Sequence, residues 1–125
     1  MELIIGGAYA GKFSYAKEKY CFAGDGVCDL RTSSPAAGCR CFRHLEAFTK
    51  RCAEDGLSAE ETLRLLLPCL EEADAVIARE IGSGIVPMDE TERRWRELHG
   101  QVLSALAKRA EKATRLFCGI PEELK

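Results

Sequence analysis

Met1-Glu2-Leu3-Ile4-Ile5-Gly6-Gly7-Ala8-Tyr9-Ala10-Gly11-Lys12 is the stretch on which the reading of this chain turns. An apolar run over residues 2–6 has the length of a strand and leads straight into Gly-x-x-x-x-Gly-Lys. Helix-forming residues, Ser14-Tyr15-Ala16-Lys17-Glu18-Lys19, follow. Glycines let the backbone curl so that successive N–H groups point inward, and Lys12 adds a mobile positive charge. Phosphate oxygens fit such a nest, with a helix N-terminus behind them. The candidate phosphate-binding residues are therefore Gly6, Gly7, Ala8, Tyr9, Ala10, Gly11, Lys12 and Phe13, with GTP or ATP as the expected ligand. Phe13 stands where such loops carry Ser or Thr, so the hydroxyl that meets Mg²⁺ is missing. Ser14 comes one residue late and points elsewhere on a helix turning about 100° per residue.

Outward from the loop, the first helix is expected from about Gly11 to Tyr20. Tyr20-Cys21-Phe22-Ala23 reads as a second strand, with Gly24-Asp25-Gly26 as a turn. Arg31 to Gly38, rich in Thr, Ser, Pro and Ala, reads as a mobile loop that could close over a ligand. From Cys39 to Asp55 the apolar residues Cys41, Phe42, Leu45, Phe48 and Cys52 fall at helical spacing, and Gly56 ends the run. Ser58 with Glu61 has the form of a capping box. Leu63, Leu66, Leu67 and Leu70 mark the helix after it, which Pro68 shortens. Ala73–Glu80 reads as a strand centred on Val76 and Ile77. A capped helix runs from Asp89 to about Lys112, and Thr114–Cys118 is the last strand. Strands alternating with helices imply an α/β fold: a parallel sheet with helices on both faces, in one nucleotide-binding domain over residues 1–125.

A chain of 125 residues can bury roughly two thirds of its unfolded surface. Eighteen Lys and Arg against 20 Asp and Glu give a net charge of −2, which argues against a broad nucleic-acid-binding face. No apolar run approaches the roughly 20 residues of a membrane span, and no signal peptide is recognisable, so a cytoplasmic location is expected. Seven cysteines without a C-x-x-C pair read as reduced thiols, several of them buried. Cys39, Cys41 and His44 have ligand-like spacing but lack a second pair, so no metal site is assigned to them.

A second constellation is Glu80-Ile81-Gly82-Ser83-Gly84-Ile85-Val86-Pro87. It follows a strand directly, and the carboxyl ends of strands line the ligand crevice in open α/β sheets. Glu80 could there hold Mg²⁺ through water or orient an acceptor hydroxyl. It could equally cap a turn or pair with an arginine.

With both constellations quoted, the chain resembles the cobinamide kinase/cobinamide-phosphate guanylyltransferase family. Gly6–Lys12 is similar to that family's G-G-x-x-S-G-K-S loop, and Glu80–Pro87 to its E-V-G-x-G-I-V-P segment. Arg93-Arg94-Trp95-Arg96-Glu97-Leu98-His99-Gly100 resembles its R-x-F-R-D-x-x-G. Cys118–Lys125 resembles its C-terminal A-G-I-P-x-x-L-K. The resemblance implies a P-loop-type sheet, homo-oligomeric assembly, and phosphorylation of adenosylcobinamide by a nucleoside triphosphate. In bifunctional members, guanylyl transfer through a histidine-linked intermediate follows. Carried onto this chain, it implies Lys12 and Glu80 as catalytic residues. Gly82, Gly84, Ile85, Val86, Pro87, Arg93 and Arg96 would form a substrate loop, with a nucleotide and a corrinoid as ligands.

The departures are specific. Ala10 and Phe13 replace serines of the loop. The family's acidic D-C-L-T-x-W strand has no counterpart, nor has its H-x-x-x-R-P-like segment with the guanylyl-acceptor histidine. His44, read as lying on a helix, would serve as a nucleophile only where the fold brings it to the loop. Two readings stay open: a kinase, and a catalytically degenerate nucleotide-binding or partner protein.

Overall fold

A computed structural model describes residues 1–81 and 89–125. Six strands form one sheet in the order β2-β3-β4-β1-β5-β6. In chain order these are β1 Glu2–Gly6, α1 Lys12–Tyr20, β2 Val27–Asp29, β3 Cys41–Arg43, α2 Leu45–Glu54, α3 Ala59–Leu66, β4 Ala75–Arg79, α4 Glu90–Arg109, β5 Lys112–Phe117 and β6 Ile120–Glu123. β1 to β5 pair in parallel, and β6 returns antiparallel on β5.

The central strands are apolar on both faces, as a sheet covered by helices on both sides requires. Ile4, Cys41, Ala75, Ile77 and Leu116 pack with Ala16 of α1 and with Phe22 on one face. Leu3, Phe42, Val76 and Ala78 pack with α2, α3 and α4 on the other, against Phe48, Leu66, Leu98, Val102 and Leu106. Each fully buried aliphatic side chain contributes about 1.5–3 kcal/mol. The expected α/β architecture is the one found.

Helix ends follow the expected chemistry where side chains set them. Ser58 Oγ accepts from the Glu61 N–H at 3.1 Å, and Glu61 Oε1 accepts from the Ser58 N–H at 3.1 Å, closing the capping box. Asp89 Oδ1 caps α4 through the Thr91 N–H at 2.8 Å. Pro68 begins a 3-10 turn over Leu67–Leu70.

Three elements differ from expectation. Tyr20–Ala23 is not a strand: Tyr20 closes α1 because its hydroxyl reaches Glu2, and Cys21 turns left-handed at φ 51°. The second strand comes later, at Val27–Asp29. The expected helix from Cys39 to Asp55 is β3 followed by α2, broken at His44 with φ 61°. Cys41 and Phe42 face opposite sides of the sheet, so both are apolar, and such a run fits a helix pattern equally well. Finally, Thr114–Cys118 is not the last strand. β5 runs over Lys112–Phe117, Cys118 and Gly119 turn at φ 49° and 78°, and β6 follows.

Candidate nucleotide cleft

The loop after β1 stands at the carboxyl edge of the sheet, between β4 and β5. Gly6 is required there: a Cβ would lie 2.7 Å from the Leu116 carbonyl oxygen. The loop then uses left-handed backbone at Tyr9 (φ 60°) and at Gly11 (φ 85°), the second serving as the N-cap of α1. No side chain caps α1 and no acidic residue occupies its first turn, so its N–H groups are left to an anion. The β5–β6 turn braces the loop from outside, the Gly119 N–H donating to the Ala10 carbonyl at 3.0 Å.

The Lys12 ammonium folds back onto the loop's own carbonyls, donating to Gly7 O at 2.6 Å and Gly6 O at 3.3 Å. Burial pulls its pKa down, with Arg79 adding to that effect and Glu46 and Glu80 opposing it. The cleft it faces encloses about 630 Å³ and is lined by residues 8–14 together with Arg31, Arg43, His44, Glu46, Ile77 and Arg79. That volume suits a nucleotide-sized ligand. Four cationic side chains thus meet one carboxylate.

Glu46 organises the far wall. Its Oε1 accepts from the Arg79 N–H at 2.9 Å, and its Oε2 lies 3.3 Å from His44 Nδ1. His44 therefore has Nδ1 turned to the carboxylate, while Nε2 is buried and has no hydrogen-bond partner among the described residues. In the neutral ring this places the proton on Nδ1 and the lone pair on Nε2. Behind Glu46, the Trp95 indole N–H donates to the Glu46 carbonyl at 3.0 Å and to Thr49 Oγ1 at 3.1 Å. Thr49 Oγ1 lies 2.9 Å from His99 Nδ1, and His99 Nε2 lies 2.8 Å from the Arg79 carbonyl. Burial pulls the His99 pKa down, the Arg79 carbonyl acting the other way. A neutral His99 donates through Nε2 to that carbonyl and accepts from Thr49. The backbone of Arg79 is thereby fixed at its N–H by Glu46 and at its C=O by His99.

The other expected site residues are dispersed. Glu80 follows β4 and donates its N–H to the Gly6 carbonyl at 3.2 Å, but its carboxylate is held by Arg115 at 2.7 Å. It does not line the cleft. Arg93 and Arg96 lie in the first half of α4, also outside the cleft lining. Gly82, Gly84, Ile85, Val86 and Pro87 lie outside the described residues. Sequence reasoning passed over Glu46, Arg43 and Arg79; their one common signal is position at or just after a strand end. His44, placed by its pattern on a helix, is instead at the strand end that brings it to the loop.

The residues present do not fit Mg²⁺ as such loops usually hold it. Phe13 offers no oxygen, both Glu46 oxygens are engaged, and Glu80 is paired with Arg115. Among the described residues no group of three His, Cys, Asp or Glu side chains could hold a metal ion. All seven cysteines are free thiols, and burial pushes Cys41 up to about 12. Among the described residues no helix is long and apolar enough to cross a membrane.

The sequence signature of the cobinamide kinase / cobinamide phosphate guanyltransferase family matches residues 44–124. The chain belongs to this family. The matched stretch begins at His44 and takes in Glu46, Arg79 and Glu80, while the glycine loop lies ahead of it. The bifunctional adenosylcobalamin biosynthesis protein CobP of Pseudomonas aeruginosa is 36% identical over 63 residues, an alignment covering 48% of this chain and 36% of that relative. The alignment thus spans little more than a third of the relative's length.

Proposed function

We propose that this chain binds a nucleoside triphosphate in the cleft and transfers its terminal phosphoryl group to a hydroxyl of cobinamide, the kinase half of the chemistry its family is named for. The observation that carries this reading is the meeting of the glycine loop, the α1 N-terminus and Lys12 with the Glu46-held His44 in one cleft. Phosphoryl transfer asks for positioning and charge neutralisation more than for covalent chemistry. The loop N–H groups and Lys12 hold the phosphates. The acceptor oxygen forms its bond to the γ-phosphorus as the β–γ bridge breaks, the nucleoside diphosphate leaves with the bridging oxygen, and the hydroxyl proton passes to His44.

Calorimetric titration of GTP and ATP tests the binding. Lys12→Ala should abolish it. His44→Gln should keep nucleotide binding yet lower cobinamide phosphorylation by about 100-fold or more, the usual weight of a general base. Undiminished turnover in His44→Gln would assign the proton elsewhere. The second reading, a nucleotide-binding partner protein without turnover, is favoured by Phe13 and by the engagement of Glu80 with Arg115. Nucleotide binding by the wild type with no phosphorylation of cobinamide would select it.

A further inference from the structure

We propose that the cleft takes its polyphosphate ligand free of Mg²⁺, with the Arg43 guanidinium, seated on the Phe13 ring, supplying the charge a metal would bring. The inference rests on the nucleotide reading above and adds to it the form in which the nucleotide binds.

Phe13 occupies the position from which a hydroxyl would reach the metal. Its ring is packed against the core below α1, 6.0 Å from the Phe22 ring at a tilt of 43°. The Arg43 guanidinium carbon lies 3.8 Å from the centre of the Phe13 ring. A guanidinium stacked on an aromatic face keeps its edge N–H donors free to meet phosphate oxygens in a fork. The substitution that removes the metal's hydroxyl therefore installs the platform for a cation in its place.

The charges around the site agree with this. Arg43 and Arg79 form no ion pair with a carboxylate among the described residues, and both line the cleft with Lys12. Among the described residues, the three carboxylates nearest these cations are engaged. Asp29 is held by Arg31 at 2.9 Å, which keeps its carboxyl down at about 2; Glu46 holds the Arg79 N–H and His44; Glu80 is on Arg115. A hydrated Mg²⁺ needs free oxygen ligands and would bring its charge next to three fixed cations. A metal-free polyphosphate brings the opposite charge to the same cations.

The test is calorimetric titration of GTP and of ATP at constant ionic strength, in excess EDTA and in excess Mg²⁺, with circular dichroism to confirm folding. The wild type is expected to bind at least as tightly in EDTA as in Mg²⁺. Arg43→Gln should weaken the metal-free binding by about tenfold or more, as loss of one charged hydrogen-bond donor does. Arg43→Lys, a second variant that keeps the charge, should recover only part of it. Phe13→Ser should shift the preference toward the Mg²⁺ complex. Wild-type binding that is tighter with Mg²⁺ by tenfold, or metal-free binding that Arg43→Gln leaves intact, overturns the inference and leaves the nucleotide reading standing. No binding by folded wild type in either condition overturns both.

Discussion

Tyr9 sits at the tip of the loop with φ 60° and a fully exposed side chain. Left-handed backbone costs a residue with a Cβ roughly 1–2 kcal/mol, and among the described residues nothing packed on the exposed ring offsets it. Tyr9→Gly is expected to raise stability by about 0.5–1 kcal/mol, read as a higher melting temperature; an unchanged or lower value would show that the ring contributes contacts. Gly6 is the opposite case, since its missing Cβ is what lets β1 lie against the Leu116 carbonyl. The loop therefore contains one glycine set by close approach, one by left-handed backbone at Gly11, and one strained tyrosine.

Among the elements, α1 is attached to the sheet by Glu2. Its buried carboxylate accepts from Lys19 at 2.8 Å, Tyr20 at 2.5 Å, Tyr15 at 3.0 Å and Thr114 at 2.5 Å. Burial pushes the Glu2 carboxyl up, but these donors outweigh it and bring it down to about 2. Three of these donors lie on α1 and the fourth, Thr114, on β5, so the carboxylate ties the C-terminal half of α1 to the sheet and with it sets the direction in which the helix N-terminus points. Glu2→Gln puts an N–H₂ among those donors and is expected to cost on the order of 3 kcal/mol in a denaturant titration, close to the loss of a buried ion-pair partner. A cost under about 0.5 kcal/mol would mean the cluster is not holding the helix. On the other face, Trp95, Thr49 and His99 tie α2 and α4 to the end of β4. His99→Phe should lower stability at neutral pH by leaving Thr49 and the Arg79 carbonyl without that partner.

At the scale of the whole molecule, these two groups contribute to how stability varies with pH, alongside Asp29, whose carboxyl Arg31 also holds down at about 2. His99 is depressed below the ordinary histidine value of 6.5, so its contribution is complete above that value. It is lost as pH falls from there through the folded-state pKa, because the unfolded chain takes up the proton first. Glu2 is depressed from 4.5 to about 2; its contribution is complete above 4.5 and is lost as pH falls through about 2. Stability measured by denaturant titration should therefore decline in two stages on acidification. His99→Phe should flatten the upper stage and Glu2→Gln the lower. A wild-type profile that is flat between pH 7 and pH 5 would contradict the burial of a neutral His99.

The topology explains where the cleft lies. The β1–α1–β2 connection leaves β1 toward one edge of the sheet, while β4–α4–β5 crosses to the other. The two helices cover opposite faces, and the crevice opens where the connections diverge, beside the ends of β1 and β4.

What the sequence by itself determined was local. β1, the glycine turn and α1 follow from one another within a dozen residues, as do the Ser58–Glu61 box, the Asp89 cap and the break at Pro68. The family was legible in short blocks for the same reason, since each is read without knowing what it touches. What only the tertiary structure decided was pairing between distant segments. Cys41 and Phe42 form a strand because β2 and β4 flank them and both sheet faces are covered, which a run of apolar residues does not reveal. Arg115 takes Glu80 away from the cleft, and Glu46, 33 residues from Arg79, takes its place on the wall. The left-handed break at His44 puts that residue in the wall of the cleft that the loop also lines. Such contacts are set by strand order and register, and a single chain read in one dimension contains neither.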